Sequence, residues 1–208
     1  MEETMYLIDE RTLGIVIVLL LGGLVVTKQV TTGSILDKPR GKFLVQLVNV
    51  FNLFFLLIVN PLVAILLITR RLATVDATRL VIENPGVLIP LEALGIVLYV
   101  AGFLLMVWAL TGLRSNYQLG GSTPRDMDRL VIIGPYRFLR HPMYAAALYI
   151  SLGLTCLTQS LACFAVFCIY LVLILLLIPV EEKGLQGAYG SQYIAYRQKV
   201  RKLVPFVF

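Results

Sequence analysis

The sequence has few of the residues that build metal sites and disulfide frameworks. It contains one histidine, His141, and three cysteines in 208 residues. Cys156, Cys163 and Cys168 are odd in number and lie within apolar runs, so they form neither a disulfide framework nor a zinc-ligand spacing. We therefore predict no metal site and interpret the cysteines as packing residues.

Charge is also scarce. Charged residues make up 14% of the chain and hydrophobic residues 59%, with a mean hydropathy of +0.87, which exceeds what a water-soluble domain carries. The chain has no G-x-G-x-x-G motif and no basic–aromatic arrangement, which argues against a Rossmann site and a nucleic-acid partner. We predict an integral membrane protein. Because the start, MEETMYLIDERT, is acidic rather than basic, we expect the first apolar run to remain in the mature protein.

The apolar runs predict an all-α membrane fold with about five transmembrane helices. A spanning helix needs about 20 apolar residues, and five runs qualify: 12–27, 43–69, 87–113, 143–159 and 161–180. Only Gln159 and Ser160 separate the last two, which predicts a tight hairpin of the fourth and fifth helices. A soluble helix is expected over 182–203. We divide the chain into an N-terminal three-helix transmembrane region, 1–113, and a second region, 114–208.

The distribution of Lys and Arg predicts the orientation. Fourteen of the 18 basic residues fall on one side of the predicted helices and four fall on the other. Basic loops stay in the cytoplasm. The N-terminus is therefore predicted outside and the C-terminus in the cytoplasm, together with the segment 114–142 and the last helix.

Two polar clusters are predicted to be neighbours. Pro142 favours the first position of the fourth helix, which places His141 and Arg140 beside the free amides and positive dipole end of that helix. Glu181 and Glu182 follow the last apolar run, where the helix dipole disfavours carboxylates. The hairpin brings these clusters side by side. Alternatively, both are charged anchors at the membrane interface.

Other polar residues in the apolar runs are given structural interpretations. Gln46, Asn49, Asn52 and Asn60 are interpreted as interhelical hydrogen-bonding residues. Glu92 lies one turn from Pro90 near the outer end of the third run, where we expect it to reach water.

Two segments in fixed order resemble a known family. These are LVIIGPYRFLRHPMY, and, after the hairpin, EEKGLQGAYGSQYIAYRQKVRKLVPF. They resemble the integral-membrane methyltransferases of the isoprenylcysteine carboxyl methyltransferase and phospholipid methyltransferase superfamily, which carry a GPY...RHPxY segment, a Glu pair and a YGxxYxxY tail. The likeness covers roughly residues 112–208. It implies S-adenosylmethionine as cofactor, a cofactor-binding and catalytic region at 114–208, and a lipophilic or lipid-anchored substrate that enters from the bilayer.

The resemblance also implies the site residues. The cofactor contacts of the family fall on Asp128, Arg129, Leu130, Val131, Tyr136, His141, Pro142, Met143, Tyr144 and Glu181. Glu181, Glu182 and Arg140 are the expected catalytic residues, with Glu182 as the candidate base. Leu130 and Val131 are expected to flank the adenine, and Glu181 to face the cofactor's ammonium and sulfonium.

The chain departs from the pattern at two positions. Members that methylate a prenylated cysteine carboxylate have an arginine one turn before the Glu pair, and this chain has Leu177 there. This substitution disfavours prenylcysteine and favours an uncharged or amine-bearing lipid. Asp128 stands where many relatives carry a histidine.

Two other functions remain open from the sequence. Sterol-type reductases that use a nicotinamide cofactor share a related RHPxY hairpin and an aromatic C-terminus, but they usually have Asn where this chain has Met143 and they lack the Glu pair. A non-catalytic lipid-binding membrane protein is the alternative from a different class. Cofactor binding distinguishes these possibilities.

Overall fold

The computed structural model describes residues 7–33, 43–113 and 129–203. The described part of the chain is helical. Its α-helices are α1 (Glu10–Thr32), α2 (Phe43–Phe54), α3 (Asn60–Ile68), α4 (Leu72–Val75), α5 (Pro85–Leu113), α6 (Pro142–Thr158), α7 (Leu161–Tyr189) and α8 (Ser191–Lys199). A π-helical segment, Phe55–Val59, joins α2 to α3, and a 3-10 turn, Gly134–Arg137, precedes α6.

Within the described ranges, four helical stretches are long and apolar enough to cross a membrane. They are Glu10–Thr32, Phe43–Ile68, Pro85–Leu113 and Leu161–Tyr189. A fifth apolar helix, α6, has 17 residues and is shorter than the four candidate spans. Its length is about 25 Å, against a hydrocarbon core of about 30 Å. Twelve of its residues are buried, because α5 and α7 pack against it. The all-helical membrane fold is therefore confirmed, with α6 as the central helix.

The second span continues through a proline by widening its helix. Pro61 has no N–H to donate within α3, and the preceding turns form the π-helical segment. The Asn60 side chain donates to the Phe55 carbonyl at 2.9 Å and accepts from the Tyr99 hydroxyl at 2.7 Å. Tyr99 lies on α5, so the interhelical role predicted for Asn60 is confirmed.

The predicted hairpin of the fourth and fifth helices is present, and its second helix is longer than expected. Gln159 ends α6 with φ +52°, and the Ser160 side chain caps α7 by accepting from the Cys163 amide. Helix α7 then continues through Pro179 to Tyr189. The predicted helix boundary at 180–182 was wrong, because no residue stops the helix before Gly190, where φ is +53°. The last helix is only the short α8.

Buried polar contacts close the end of the bundle that holds the α6–α7 turn. Arg79 pairs with Glu10 at 2.8 Å and donates to the Gln159 side chain at 3.4 Å. Nearby, Glu92 is buried and accepts from the Leu7 amide at 2.8 Å. The expectation that Glu92 reaches water was therefore wrong, because the segment before α1 covers it.

Glycines allow α5 and α6 to pack at close range. A Cβ atom at Gly153 would lie 2.6 Å from the Tyr99 backbone nitrogen, and one at Gly102 would lie 2.9 Å from the Ala146 carbonyl. Small residues let membrane helices approach closely and gain van der Waals contact. This packing positions the first turn of α6 relative to the rest of the bundle.

We predict that Gly153→Ala lowers the thermal unfolding midpoint of the detergent-solubilised protein. The added methyl group must displace backbone, and such overpacking costs about 1–3 kcal/mol. Gly23→Ala on α1 is the matched control, because a Cβ there meets nothing within 4 Å. Gly23→Ala should be neutral or stabilising, since alanine is the better helix former by roughly 0.5–1 kcal/mol. Equal midpoints for the two variants would contradict the close packing.

Candidate functional site

The chain enters α6 through a strained turn that pairs with the C-terminal segment. Gly134 has φ +60°, and His141 occupies the cap position of α6. The Arg140 amide donates to the Arg201 carbonyl at 2.7 Å, and the His141 amide donates to the Lys202 carbonyl at 3.1 Å. This backbone pairing holds residues 201 and 202 against the start of α6.

Arg140 connects three segments of the chain. Its Nε and Nη2 atoms lie 2.9 Å and 2.8 Å from Glu182 Oε1. Its Nη1 atom donates to the Arg197 carbonyl at 3.0 Å and to the Val200 carbonyl. Both side chains of the ion pair are buried. Arg140 therefore joins the start of α6, the C-terminal part of α7 and the end of α8.

His141 lies between the two carboxylates. Its Nδ1 atom is 3.5 Å from Glu181 Oε2, and its Nε2 atom is 3.4 Å from Glu182 Oε1. Its ring stacks on Tyr144 with centroids 5.8 Å apart and planes 17° apart, and the Tyr144 hydroxyl donates to Glu181. Burial lowers the pKa of His141, but the hydrogen bonds and charges of the carboxylates raise it more, so the net pKa is raised.

Two tyrosines of α8 lie near the Arg140–Glu182 pair. Tyr196 donates to the Tyr136 carbonyl at 2.6 Å, which ties α8 to the 3-10 turn. Tyr193 is almost completely buried, and its hydroxyl has no hydrogen-bond partner among the described residues. Burial, followed by the charge of Glu182, raises the pKa of Tyr193, which places this hydroxyl near the carboxylates. A buried hydroxyl without a partner is a position where a ligand can supply one.

The expected site residues divide into three groups. The structure brings Arg140, His141, Tyr144, Glu181 and Glu182 together, with Pro142 buried at the first position of α6. Arg129 is exposed and residues 130–131 are half-buried ahead of the 3-10 turn, and the described contacts do not join them to the carboxylates. Asp128 lies outside the described residues.

An apolar cavity of about 400 Å³ adjoins this cluster. Helices α1, α2, α3, α5, α6 and the π-helical segment line it, and their lining residues include Val18, Gly22, Val25, Lys28, Asn52, Leu57, Met106, Met143 and Tyr144. Tyr144 belongs both to the cavity wall and to the Glu181 contact. Sequence analysis missed this cavity, because its walls come from separate helices.

No group of three or more His, Cys, Asp or Glu residues in the described ranges is arranged to hold a metal ion. The cluster itself contains two buried carboxylates, a guanidinium, an imidazole and the ring of Tyr144.

The region that contains this site is similar to known proteins. Residues 91–192 match the phospholipid methyltransferase family model. The chain is 32% identical over 119 residues to protein-S-isoprenylcysteine O-methyltransferase B of Arabidopsis thaliana, covering 54% of this chain and 58% of that protein. It is 33% identical over 87 residues to a probable protein-S-isoprenylcysteine O-methyltransferase of Oryza sativa subsp. indica, covering 39% and 44%. Over this region the chain resembles the isoprenylcysteine carboxyl methyltransferase and phospholipid methyltransferase superfamily. Its match spans about half the length of these curated relatives.

A solved structure shares the fold of this chain. The eukaryotic intramembrane Ras methyltransferase, isoprenylcysteine carboxyl methyltransferase, aligns with a TM-score of 0.57 and 18% identity, covering 92% of this chain and 64% of that chain. The structural likeness extends over α1 to α3, where the sequence carried no recognised motif.

Leu177 stands where family members that methylate prenylcysteine have an arginine, and its side chain packs between helices. Leu177 is fully buried and forms a hydrophobic cluster with Val45 and Val48 of α2. Because α2 covers this part of α7, a long cation at position 177 has no room in the present packing.

We predict that His141 makes the stability of the protein depend on pH. The pKa of His141 is raised in the folded state. Its contribution to the free energy of unfolding is therefore complete below the ordinary histidine pKa of about 6.5 and is lost as the pH rises through the raised value. The thermal midpoint of the wild type relative to His141→Gln should therefore decrease as the pH rises above about 6.5. His141 is the only histidine in the chain, so the variant removes all histidine titration. A difference that stays constant with pH would contradict the placement of His141 between two carboxylates.

Proposed function

We propose that this protein is an integral-membrane methyltransferase that uses S-adenosylmethionine to methylate a lipophilic acceptor. One observation carries the proposal. Arg140 and His141, at the start of α6, contact the two carboxylates of α7, Glu181 and Glu182. This cluster lies in the region that matches the family model. It is also next to an apolar cavity that can hold an acceptor.

The residues present fit this cofactor. The start of a helix such as α6 directs backbone N–H groups and the positive end of the helix dipole outward, which suits a carboxylate. Glu181 is a buried carboxylate that suits an ammonium or sulfonium group, and Tyr144 offers an aromatic face beside it. The Tyr193 hydroxyl adds a buried donor without a partner among the described residues. When bound, S-adenosylmethionine supplies a methyl group on sulfur, and the electrons of the broken bond return to that sulfur.

The contacts suggest different roles for the three expected catalytic residues. Glu181 is held by Tyr144 and His141, so it is the carboxylate that we assign to the cofactor. Glu182 and Arg140 bind each other, and we assign them as positioning residues. A role for Glu182 as a base would require it to release Arg140. Asp128 and residues 129–131 remain proposed cofactor contacts on the resemblance alone.

We assign the apolar cavity to the acceptor. Its volume of about 400 Å³ is within the usual range of ligand pockets, roughly 300–1,000 Å³. Val18, Val25 and Leu57 line the cavity and are exposed, which supports an opening of the cavity between the apolar helices. The wall at Met143 and Tyr144 brings the acceptor next to the cofactor residues, where holding the reacting atoms together lowers the barrier.

We further propose that the site faces the cytoplasm. The excess of Lys and Arg on the side of residues 114–142 and the C-terminal segment supports an N-terminus outside and a C-terminus in the cytoplasm. Lipophilic acceptors in that leaflet would then have direct access to the cavity.

We predict that the purified protein binds S-adenosylhomocysteine and that Glu181→Gln weakens this binding about tenfold, equivalent to about 1.4 kcal/mol. Neutralising Glu181 removes the charge that faces the cofactor's ammonium. Isothermal titration calorimetry in detergent measures the effect. Glu92→Gln is the matched control, because it neutralises a buried carboxylate at the opposite end of the bundle, and it should bind like the wild type.

Absence of binding by folded wild-type protein would overturn the proposed function. Binding of NADPH instead would support the reductase alternative, and failure to bind either cofactor would leave a non-catalytic lipid-binding protein.

We predict that Gly22→Leu blocks acceptor methylation and spares cofactor binding. Gly22 lines the cavity, and an added side chain there meets open space, so leucine can occupy the mouth without a clash. Transfer of tritiated methyl groups to N-acetyl-S-farnesylcysteine, to phosphatidylethanolamine and to extracted membrane lipids should fall about tenfold, with S-adenosylhomocysteine affinity changed by less than about twofold.

Gly23→Leu provides the control for this experiment. Gly23 also has open space around its added Cβ, and it is outside the cavity lining. Equal methylation by both leucine variants would show that the cavity is not the acceptor site.

A further inference from the structure

We propose that the turn before α6 forms a docking surface for the head groups of anionic phospholipids. The docking surface consists of an apolar patch and two flanking arginines: Trp108, Ile132, Ile133 and Phe138, with Arg137 and Arg201. It is separate from the lining of the apolar cavity and from the carboxylate cluster, so the inference goes beyond the proposed function.

The apolar patch is continuous across two segments of the chain. Gly134 begins the 3-10 turn with φ +60°, and a Cβ atom there would lie 3.3 Å from Trp108 Nε1. Trp108 also lies beside Phe138, with ring centroids 6.3 Å apart. The turn therefore packs on α5 through its glycine, while the side chains of Ile132, Ile133 and Phe138 stay exposed.

The length of α5 places the apolar patch at the level of the lipid head groups. Helix α5 has 29 residues and is about 44 Å long at about 1.5 Å per residue, which matches a bilayer of about 40–45 Å with its head-group regions. Trp108 precedes the end of α5 at Leu113 by five residues, so it lies within about 8 Å of that end. Tryptophan favours this depth in membrane proteins.

The charge of this part of the chain fits an anionic partner. Between residues 129 and 203 the only acidic side chains are Glu181 and Glu182, and both are buried. Arg137 and Arg201 are exposed, and the ion pairs among the described residues are formed by other cations. The exposed side-chain charges of this stretch are therefore all positive, which attracts a negatively charged leaflet.

The two arginines lie on neighbouring segments. Leu139 and Arg201 form a parallel backbone bridge, and the Arg140 amide donates to the Arg201 carbonyl at 2.7 Å. Arg137 is two residues before Leu139, so both long side chains can reach one phosphate, which a guanidinium binds with two parallel hydrogen bonds. The adjoining apolar patch favours a lipid over a free phosphate ion, because only a lipid supplies acyl chains that cover it.

The fluorescence of Trp108 tests the docking surface directly, because Trp108 is the only tryptophan in the chain. The full chain is reconstituted in phosphatidylcholine vesicles that contain a small, equal fraction of brominated phosphatidylglycerol or brominated phosphatidylcholine. Both probes carry the same brominated acyl chains, which quench tryptophan on contact. We expect the phosphatidylglycerol probe to quench Trp108 at least about twofold more strongly, because basic side chains at a membrane surface concentrate anionic lipid.

Two double variants separate the arginines from general charge effects. Arg137→Gln combined with Arg201→Gln should make quenching by the two probes equal. Arg71→Gln combined with Lys183→Gln is the matched control, because it removes two exposed charges from other segments, and it should keep the wild-type preference. Far-UV circular dichroism establishes that each variant is folded. If the first double variant is unfolded, Arg137→Gln alone decides the question and should show a reduced preference.

Three results would overturn the docking surface. They are equal quenching of the wild type by both probes, no quenching by either probe, and an unchanged preference in the folded arginine variant. The measurement requires neither cofactor nor acceptor, so each of these results leaves the proposed methyltransferase intact. Conversely, a chain that binds no S-adenosylhomocysteine can still show the preference for anionic lipid.

Discussion

The site depends on the buried ion pair between Arg140 and Glu182. Removing two charges from water costs several kcal/mol for each ion, and an ion pair recovers that cost only when its remaining hydrogen-bonding groups are satisfied. Arg140 meets this condition because Glu182 and the carbonyls of Arg197 and Val200 accept from its guanidinium. The pair therefore requires the start of α6, the helix α7 and the segment after α8 to be in place together. Breaking any one of these contacts leaves a buried charge or donor unsatisfied.

The same pair gives the two adjacent glutamates different surroundings. Consecutive residues of an α-helix point about 100° apart, so Glu181 and Glu182 point in different directions, and His141 reaches them through different ring nitrogens. Because Glu182 faces Arg140, Glu181 faces Tyr144 and lies close to His141. One carboxylate thereby holds the protein segments together, and the other is directed toward the position that we assign to the cofactor. The motif consists of two identical residues whose functions differ by helical geometry alone.

Local sequence patterns predicted the membrane helices and the proximity of the Arg140–His141 and Glu181–Glu182 clusters. They did not predict the apolar cavity between the helices. The α6–α7 hairpin was predictable because Gln159 and Ser160 are the only break between two apolar runs, and a hairpin necessarily places its open ends together. The continuation of α7 past Pro179 was not predictable, since a proline usually ends a helix and the packing that supports this one is tertiary. The positioning role of Arg140 depends on two backbone carbonyls about 60 residues away, and the cavity depends on where α1 lies against other helices. Neither the carbonyl contacts of Arg140 nor the cavity produces a periodic pattern in the sequence.

Tyr144 couples the two halves of the proposed site. Its side chain lines the acceptor cavity and its hydroxyl donates to Glu181, so a ligand in either place contacts the same residue. Its ring also stacks on His141, which lies between both glutamates. Any shift of Tyr144 to admit an acceptor therefore changes the hydrogen bonding of Glu181 and the packing of His141. Since the glycine contacts between α5 and α6 fix the backbone of α6, such a shift is limited to the side chain. The close helix interface thus keeps the cavity and the residues that we assign to the cofactor at a fixed separation, as the proposed methyl transfer requires, because the reacting atoms must be held within about 3–3.5 Å.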